Sequence, residues 1–389
     1  MASEIIQLEL RKFVSPEYIF GIDARLMVAN YCKQLGGRTV LLVSDAGIAK
    51  TPWLKEIENI LKSQAINFHV FLNVSPNPRD FEVMEGVEVY LKNQCNLIIA
   101  LGGGSVMDCA KGIGIVSTNG GTIDMYEGVD KINKPMPPLI CIPTTAGTAA
   151  DLSQFAIINR YNERYKMAII SKATVPDVAL IDPFVLTTMD SFLTACTGMD
   201  ALSHAFEAYV SNASSAFTDL YAIEAVKLII HNLNASVEYP NNLQLRGKVM
   251  LGSLYAGLAF SNASLGCVHS MAHSLGGYLD LPHGECNAII LPHVVDFNYS
   301  SATEKYSNLS AAMGCCNKST KKTDARKQLV NFLIDFRNSV NIKSTLGSNG
   351  VKPDIIPTLA SKAINDPCNA TNPRPPCKLD LECIYKEAI

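Results

Sequence analysis

Two kinds of hydrophobic pattern follow one another along the chain, and the change falls near residue 186. Before it, short apolar runs rich in β-branched residues alternate with amphipathic stretches of helical period. The apolar runs are TVLLVSD, NFHVFLNV, NLIIALGG, PLICIPTT and VALID. Strands that alternate with helices favour a parallel sheet covered by helices on both faces. Residues 1–186 are therefore predicted to form an α/β domain.

After this change, long segments of helical period replace the strands. These segments are MDALSHAFEAYV, SAFTDLYAIEAVKLIIHNL, LRGKVMLGSLYAGLAF and TDARKQLVNFLIDFRNSV. The C-terminal run is rich in proline and then helical, and it is expected to pack back on the body of the protein. Residues 187–389 are therefore predicted to form an all-α domain.

The helical half concentrates side chains that can bind a metal ion. Asp200 and His204 are four residues apart, as are His269 and His273, so each pair shares one helix face. His283 stands between a proline and a glycine, a context that predicts a loop. Either pair alone is common on helix surfaces, but the chain has only seven histidines and four are these. Asp200, His204, His269 and His283 together predict a divalent-metal site with room for an exogenous oxygen.

Strand ends in the first half carry groups suited to a phosphate-containing ligand. The segment NLIIALGGGSVMDCAKG runs from a strand through Gly102 and Gly103 into a helix predicted to open at Ser105, with Asp108 in capping-box position. Backbone amides and a helix dipole at this point suit a pyrophosphate, and a tight strand-to-helix turn explains the glycines equally well. The run PTTAGTA adds hydroxyls at the same sheet edge, where open α/β sheets bind ligands: Thr144, Thr145 and Thr148.

An acidic residue follows the strand TVLLV. A carboxylate at the end of an early strand can accept a hydrogen bond from the adenosine ribose 2′-hydroxyl and repel a 2′-phosphate. Asp45 therefore favours NAD over NADP. The alternative is that Asp45 only caps the helix that follows.

Composition narrows the possible partners. A net charge of -3 argues against nucleic acid or an anionic membrane as a partner. The sequence has no apolar run near the roughly 20 residues of a membrane span, and its N-terminus has acidic residues where a signal peptide would be basic and then apolar. A cytoplasmic protein is expected.

Basic residues are scarce around the predicted metal ligands. Lys227 is the only one between Thr174 and Leu245, and there is none from Val249 to Glu304. A phosphorylated or multiply carboxylated substrate normally requires basic side chains near the metal. The pattern favours a small neutral alcohol or aldehyde.

These motifs together resemble those of the iron-containing (group III) alcohol dehydrogenases, a family that shares its fold with glycerol dehydrogenase and dehydroquinate synthase. The shared segments occur in the family's order nearly end to end: SPNP, GGGSVMDCAKG, PTTAGT, ALIDP, TGMDALSHAFEAY, HSMAH and LPHGECNA. The chain looks closest to the branch of bacterial ethanol-active dehydrogenases. The resemblance implies a Rossmann-like α/β domain plus an all-α domain in the dehydroquinate synthase-like fold, assembled as a homodimer or larger oligomer.

The resemblance also implies roles for single residues. Asp200, His204, His269 and His283 are the implied metal ligands, with Fe(II) as the first candidate ion and Zn(II) as the second. His273 lies beside the nicotinamide, either as a residue that supports the ligands or as a proton relay. Contacts with NAD are implied for Gly102, Gly103, Ser105, Thr144, Thr145 and Lys166. To these the predicted cofactor set adds Asp45 and Thr148 near strand ends, Asp108 in the helix that follows the glycines, and Leu186 at the domain boundary.

The predicted reaction is reversible hydride transfer between a small primary alcohol or aldehyde and NAD(H). One alternative is a dehydroquinate-synthase-like metal-dependent lyase, which would need a basic cluster from outside the stretches described above. A different class of alternative is a non-catalytic redox sensor that uses the dinucleotide domain and the many thiols. Four intact ligand positions argue against the sensor.

Overall fold

The computed structural model describes residues 12–315 and 322–389. In these ranges the chain forms nine β-strands and thirteen α-helices. The last strand ends at Ile181, and the long helices begin at Ser191. The predicted domain boundary at residue 186 falls in the 3₁₀ segment Pro183–Thr188 between them.

The first part is built on a six-stranded parallel sheet with the order β1-β9-β6-β4-β2-β3. The strands β4, β6 and β9 are buried along their whole length, as expected of a parallel sheet covered on both faces. The bounds are β1 Glu17–Phe20, β2 Thr39–Val43, β3 Asn67–Phe71, β4 Leu97–Gly102, β6 Leu139–Pro143 and β9 Val178–Ile181.

Four helices cover the two faces of this sheet. They are α1 Val28–Gln34, α2 Pro52–Ser63, α3 Asp80–Lys92 and α4 Gly104–Asn119. Alternate side chains of β2 show the two layers, because Val40 and Leu42 join the core that contains α2, whereas Leu41 and Val43 join the core of α3 and α4. The carboxyl ends of the central strands therefore open on one edge, beside the start of α4.

A second, smaller sheet lies beyond this edge and was not predicted. It has the order β5-β8-β7, with β5 Gly128–Val129, β7 Phe155–Arg160 and β8 Tyr165–Ile170, and β7 pairs with β8 in antiparallel fashion. The buried Lys111 ammonium on α4 donates to the carbonyls of Ser153 at 2.9 Å and Phe155 at 2.6 Å. These bonds fix the start of β7 to α4, and β8 carries Lys166 towards the helical part.

The second part is helical and is centred on α5. Every residue of α5 from Thr194 to Val210 is buried, so this helix forms the middle of the domain rather than its surface. The remaining helices pack around it: α6 Ala216–Glu238, α7 Leu243–Ala263, α8 Cys267–Leu279, α9 His283–Asn298, α10 Thr303–Met313, α11 Lys322–Ser339, α12 Ile356–Ala363 and α13 Lys378–Glu387, with α5 itself spanning Ser191–Val210.

The parallel sheet followed by a helical domain confirms the predicted fold class. Across the described ranges, no single helix is long and apolar enough to cross a membrane. Only α7 and α8 taken together reach that length and apolar composition, and the two helices are bent by 100° relative to each other.

Candidate metal and cofactor site

Four side chains from three helices converge at the end of the cleft between the two parts. Asp200 and His204 come from α5, His269 from α8 and His283 from α9. The Oδ1 atom of Asp200 lies 3.8 Å from Nε2 of His204 and 3.6 Å from Nε2 of both His269 and His283. The structure thus brings together the four residues that the sequence predicted as ligands.

His283 was predicted in a loop, and this is wrong, because it is the first residue of α9. The next residue explains how it reaches Asp200. A Cβ atom on Gly284 would lie 2.3 Å from the carbonyl oxygen of Cys196 on α5. The glycine therefore allows the start of α9 to approach α5 closely.

The hydrogen bonds around the cluster fit a cation. Nδ1 of His269 lies 2.5 Å from Oε2 of Glu207, and because a carboxylate accepts, this nitrogen holds the ring proton. In the neutral ring, Nε2 then presents a lone pair towards Asp200. The amide nitrogen of Asn287 donates to Asp200 Oδ1 at 2.6 Å and contacts Nε2 of His269 and His283 at 3.1 and 3.2 Å. The Asn287 oxygen is buried and has no hydrogen-bond partner within the described chain. Acceptors that face each other in a buried space suit a divalent ion.

At three of the four proposed ligands the protonation states also suit metal binding. Burial lowers the pKa of His204 to about 3 and holds the pKa of His283 well below its ordinary value. Burial opposes ionisation of Asp200, but His204 and His283 outweigh it and keep the pKa of this carboxyl below its ordinary value. Burial likewise opposes a charge on His269, but Glu207 and Asp200 raise its pKa to about 9. A metal ion must therefore compete with a proton mainly at His269.

His273 lies next to this cluster with a different partner. Its Nδ1 is 2.8 Å from Oδ2 of Asp366, whose Oδ1 accepts from the amide of Cys368 at 2.9 Å. The ring stacks on His283 with centroids 5.3 Å apart. Burial disfavours the Asp366 carboxylate, but His273 outweighs it and lowers the pKa of this group. His273 is thus held beside the ligands through Nδ1, and it lines the cavity next to them.

Two connected spaces adjoin the cluster. An inner cavity of about 110 Å³ reaches His204, His269 and His273, and an outer cleft of about 590 Å³ runs along the carboxyl edge of the sheet. Apolar side chains form one part of the inner cavity's lining, and the ring of Phe260 stacks on His204 with centroids 4.3 Å apart. Residues that border both spaces form the passage between them: Asn77, Gly104, Ser105, Thr148, Asp200 and His283.

Comparison with known proteins identifies this arrangement. Residues 15–183 match the family described as iron-containing alcohol dehydrogenase, and residues 194–389 match the C-terminal part of the Fe-containing alcohol dehydrogenase family. The chain belongs to the iron-containing alcohol dehydrogenases. The family predicted from the motifs is therefore confirmed.

Individual relatives match over nearly the whole chain. The chain is 38% identical to 1,3-propanediol dehydrogenase of Citrobacter freundii, over 95% of this chain and 96% of that protein. It is 35% identical to NAD-dependent methanol dehydrogenase of Bacillus methanolicus, over 97% of this chain and 99% of that protein. A crystal structure of 1,3-propanediol oxidoreductase superimposes with a TM-score of 0.95 at 36% identity and covers 98% of this chain and 100% of that chain.

Most residues of the predicted cofactor set border the two spaces of this alcohol dehydrogenase. Asp45, Gly103, Thr144 and Thr145 line the outer cleft, Ser105 and Thr148 line both spaces, and Asp108 and Lys166 line the inner cavity. Two members lie outside the linings of both spaces. Gly102 is the last residue of β4, and Leu186 is buried in the core with 1% exposure. Gly104, Thr188 and Met189 line the outer cleft in their neighbourhood instead.

The predicted capping box at Ser105 and Asp108 is wrong. Helix α4 begins at Gly104 with Gly103 at its N-cap, and in the described chain no side chain caps it. The hydroxyl of Ser105 instead accepts from the amide of Asn77 at 3.2 Å. Burial raises the pKa of Asp108 to about 7 against the opposing effect of Lys111 and Lys166. Asp108 is thus a partly neutral carboxyl at the inner cavity.

The glycines of GGGS allow two loops to approach each other. A Cβ atom on Gly104 would lie 2.7 Å from the side chain of Thr148, and one on Gly103 would lie 3.2 Å from Thr145. The GGGS turn and the PTTAGT turn therefore form one surface of the cleft, because the glycines leave room for the Thr145 and Thr148 side chains between them.

Asp45 fits both of its interpretations. Its Oδ1 accepts from the amides of Gly47 at 2.7 Å and Ile48 at 2.9 Å, so it fixes the turn that leads into the 3₁₀ segment Ile48–Lys50, whose N-cap is Gly47. The same residue borders the outer cleft. Capping and cofactor recognition are therefore compatible in this geometry.

Several residues of the site were missed by the sequence reasoning. Three of them lie within the quoted motifs and the others are apolar or distant from the motifs, and none had been given a role: Asn77, Glu207 and Asn287 within the motifs, and Phe155, Phe260, Leu265 and Asp366 outside them. Glu207 and Asn287 had an available signal, since each lies at helical spacing from a predicted ligand on the same helix. Asp366 had none, because 93 residues separate it from His273.

Proposed function

We propose that this chain is a metal- and NAD-dependent alcohol dehydrogenase that interconverts a small neutral primary alcohol and its aldehyde. The observation that carries the proposal is the convergence of Asp200, His204, His269 and His283 where the inner cavity meets the outer cleft. The named relatives support it, since one is an NAD-dependent methanol dehydrogenase and another a 1,3-propanediol dehydrogenase.

The chain's own residues have distinct tasks in this proposal. Asp200 and the three histidines hold the ion, for which Fe(II) is the first candidate and Zn(II) the second. When bound, the ion supplies Lewis acidity towards an alcohol oxygen, and NAD supplies the hydride acceptor. His273, with Nδ1–H bound to Asp366, offers Nε2 to take the hydroxyl proton and pass it towards solvent.

The inner cavity supports a small neutral substrate. Its volume of about 110 Å³ suits a few heavy atoms, and its apolar wall contains Phe155, Ile157, Phe260 and Leu265. Among the described residues that line the two spaces, Lys166 is the one lysine and there is no arginine. An anionic sugar phosphate would be poorly matched, which disfavours the lyase alternative.

The outer cleft supports the dinucleotide. Its volume of about 590 Å³ lies along strand ends, with the hydroxyls of Ser105, Thr144, Thr145 and Thr148 on its surface. Asp45, which follows β2, lines the same cleft and is proposed to bind the adenosine ribose. We further infer a cytoplasmic homo-oligomer without nucleic-acid or membrane partners, which size-exclusion chromatography and cell fractionation would test.

The test of the proposed function is NADH formation from ethanol, 1-propanol and 1,3-propanediol. The protein is first stripped of metal and then reconstituted anaerobically with Fe(II) or Zn(II). We expect turnover only after reconstitution. Full turnover in metal-free buffer would overturn the metal role, and silence with every metal and alcohol would favour the lyase or the redox sensor.

A further inference from the structure

Two buried carboxylates each fix one histidine of α8. Glu207 accepts from Nδ1 of His269 at 2.5 Å, and Asp366 accepts from Nδ1 of His273 at 2.8 Å. The other oxygen of each carboxylate accepts a hydrogen bond from a backbone amide. The Val268 amide donates to Glu207 at 2.6 Å, and the Cys368 amide donates to Asp366 at 2.9 Å. Only His269 of the two rings points to the Asp200 oxygen.

Glu207 holds the helix as well as the ring. Val268 is the second residue of α8, and the first amides of a helix have no partner within the helix. The Glu207 side chain reaches this amide because Gly266 leaves space: a Cβ atom there would lie 3.0 Å from Glu207 Oε1 and 2.6 Å from Asn372 Oδ1. One carboxylate on α5 thereby fixes both the start of α8 and the orientation of its first histidine.

We propose that Glu207 is the positioning residue of the metal centre and sets the tautomer of His269. A proton held on Nδ1 by Glu207 leaves the Nε2 lone pair for the ion, and hydrogen bonds of this kind raise the affinity of metal sites. The inference rests on the proposed function, because it concerns the same ion.

Charge supports the same role. Within the described residues no lysine or arginine forms an ion pair with Glu207. Its side chain is only 5% exposed, so the positive charge that balances it must come from within the site, from a protonated His269 or from a bound ion. Glu207 and Asp200 together carry the two negative charges that a divalent ion neutralises.

Glu207→Gln changes the tautomer with little change in volume. The glutamine oxygen can keep the bond from the Val268 amide, which places the NH₂ group against Nδ1 of His269. Nδ1 must then accept, so the ring proton moves to Nε2, which faces the ion. A flipped amide would restore the bond to Nδ1, but it would place the NH₂ group against the Val268 N–H.

Asp366→Asn is the matched control. It makes the same chemical change at the other histidine of α8, with Cys368 in the place of Val268. His273 is not among the proposed ligands, so this variant is expected to lose turnover while metal affinity stays at the wild-type value.

The experiment measures zinc affinity of the full-length Zn(II)-loaded enzyme by chelator competition. We expect Glu207→Gln to weaken zinc binding by about 10- to 100-fold and Asp366→Asn to leave it unchanged. Proton–nitrogen NMR of ¹⁵N-histidine-labelled, zinc-loaded protein reports the tautomer directly. We expect the exchange-protected Nδ1–H signal of His269 in the wild type and its loss in Glu207→Gln.

The outcomes separate this inference from the proposed function. Wild-type zinc affinity in Glu207→Gln, or equal losses in both variants, would overturn the positioning role. If the wild type bound no zinc, or if His283→Ala retained wild-type affinity, the proposed metal site itself would fail. Should Glu207→Gln not fold, Glu207→Asp and Glu207→Ala provide the comparison. Glu207→Asp keeps a hydrogen-bond acceptor and Glu207→Ala does not. Tighter zinc binding by Glu207→Asp than by Glu207→Ala supports the inference, and equal zinc affinities of these two variants overturn it.

Discussion

Asp45 combines a structural and a recognition role in one side chain. Its Oδ1 caps the turn at Gly47 and Ile48, and its position on the outer cleft suits a ribose hydroxyl. We expect Asp45→Gly to lower the affinity for NAD by roughly 10- to 100-fold, since a hydrogen bond to a charged group contributes about 1.5–3 kcal/mol. We also expect this variant to accept NADP. The measurement is kcat/KM for both cofactors.

Asp45→Asn is the control for this change, because its side-chain oxygen keeps the cap while the charge is removed. We expect it to melt like the wild type and still accept NADP better than the wild type does. An unchanged cofactor preference in both variants would show that Asp45 is only a cap.

Asp108 predicts a pH dependence of stability. Its pKa is about 7 in the folded protein against 3.8 for the ordinary group. The folded state therefore binds the extra proton between these values, so this contribution to stability is complete at low pH and is lost as pH rises towards 7. The free energy of unfolding of Asp108→Asn lacks this pH-dependent loss. We therefore expect its advantage over the wild type to grow by about 2–3 kcal/mol between pH 5 and pH 8.

Urea unfolding of both proteins, stripped of metal, measures this difference. The metal is removed because protonation of its ligands at low pH would release it. This release would add its own pH dependence to the free energy of unfolding. Parallel stability curves for the two proteins would mean that Asp108 has an ordinary pKa.

Single residues also show where the sequence was informative. The pair Asp200 and His204 could be predicted because both lie on one helix at a spacing of four. Asp366 could not, because its contact with His273 spans 93 residues and depends on how the C-terminal segment packs. Leu186 was assigned to the cofactor from its place at the boundary alone, and the structure buries it in the core.

Between secondary-structure elements, the contact of α9 with α5 controls the position of His283. A Cβ atom on Gly284 would lie 2.3 Å from the backbone oxygen of Cys196, which cannot move aside as a flexible side chain can. We expect Gly284→Ala to displace the first turn of α9, weaken metal binding, and lower the free energy of unfolding by about 1–3 kcal/mol. Zinc titration and urea unfolding measure the two effects.

Gly247→Ala on α7 is the matched control. A Cβ atom there would make an ordinary contact of 3.8 Å with Pro183, and alanine favours a helix over glycine by roughly 0.5–1 kcal/mol. We expect this variant to keep its zinc affinity and to be as stable as the wild type or more so. Equal zinc affinity in the two variants would contradict the role of the α5–α9 contact.

The hairpin of β7 and β8 shows why some elements escaped prediction. Its two strands have apolar runs, but the turn between them, residues 161–164, has no glycine or Asn-Gly pair. The turn instead places Arg164 at φ 48°, a left-handed conformation that the sequence does not announce. Lys111 on α4 then holds the start of this hairpin through a hydrogen bond to the carbonyl of Ser153, which is 42 residues away in the sequence.

For the whole molecule, the change of pattern near residue 186 indicated the sheet and the helical domain, because burial on both faces produces continuous apolar strands. The order of the strands was not accessible in the same way. β1 pairs with β9, so Glu17 lies opposite Val178, and this long-range pairing has no local signal.

The proposed ion connects three helices, and its removal is therefore expected to lower the stability of the whole protein. A ligand that binds only the folded state stabilises it by about 2.7 kcal/mol at 100 times its Kd and about 4.1 kcal/mol at 1,000 times. We expect a lower Tm after metal removal, restored by Fe(II) or Zn(II) and not by Mg²⁺, which prefers oxygen ligands. His283→Ala should lack this response.

Hydrogen exchange locates the same effect. Asp200, His269 and His283 lie on α5, α8 and α9, and all residues of α5 from Thr194 to Val210 are buried. Zinc should therefore slow exchange in these three helices, whereas NAD should slow it at the GGGS and PTTAGT turns. A zinc effect spread evenly over both domains, or a Tm unaffected by zinc, would contradict an ion held by these three helices. Protection confined to α5, α8 and α9 would show that the metal centre organises the helical domain independently of the cofactor.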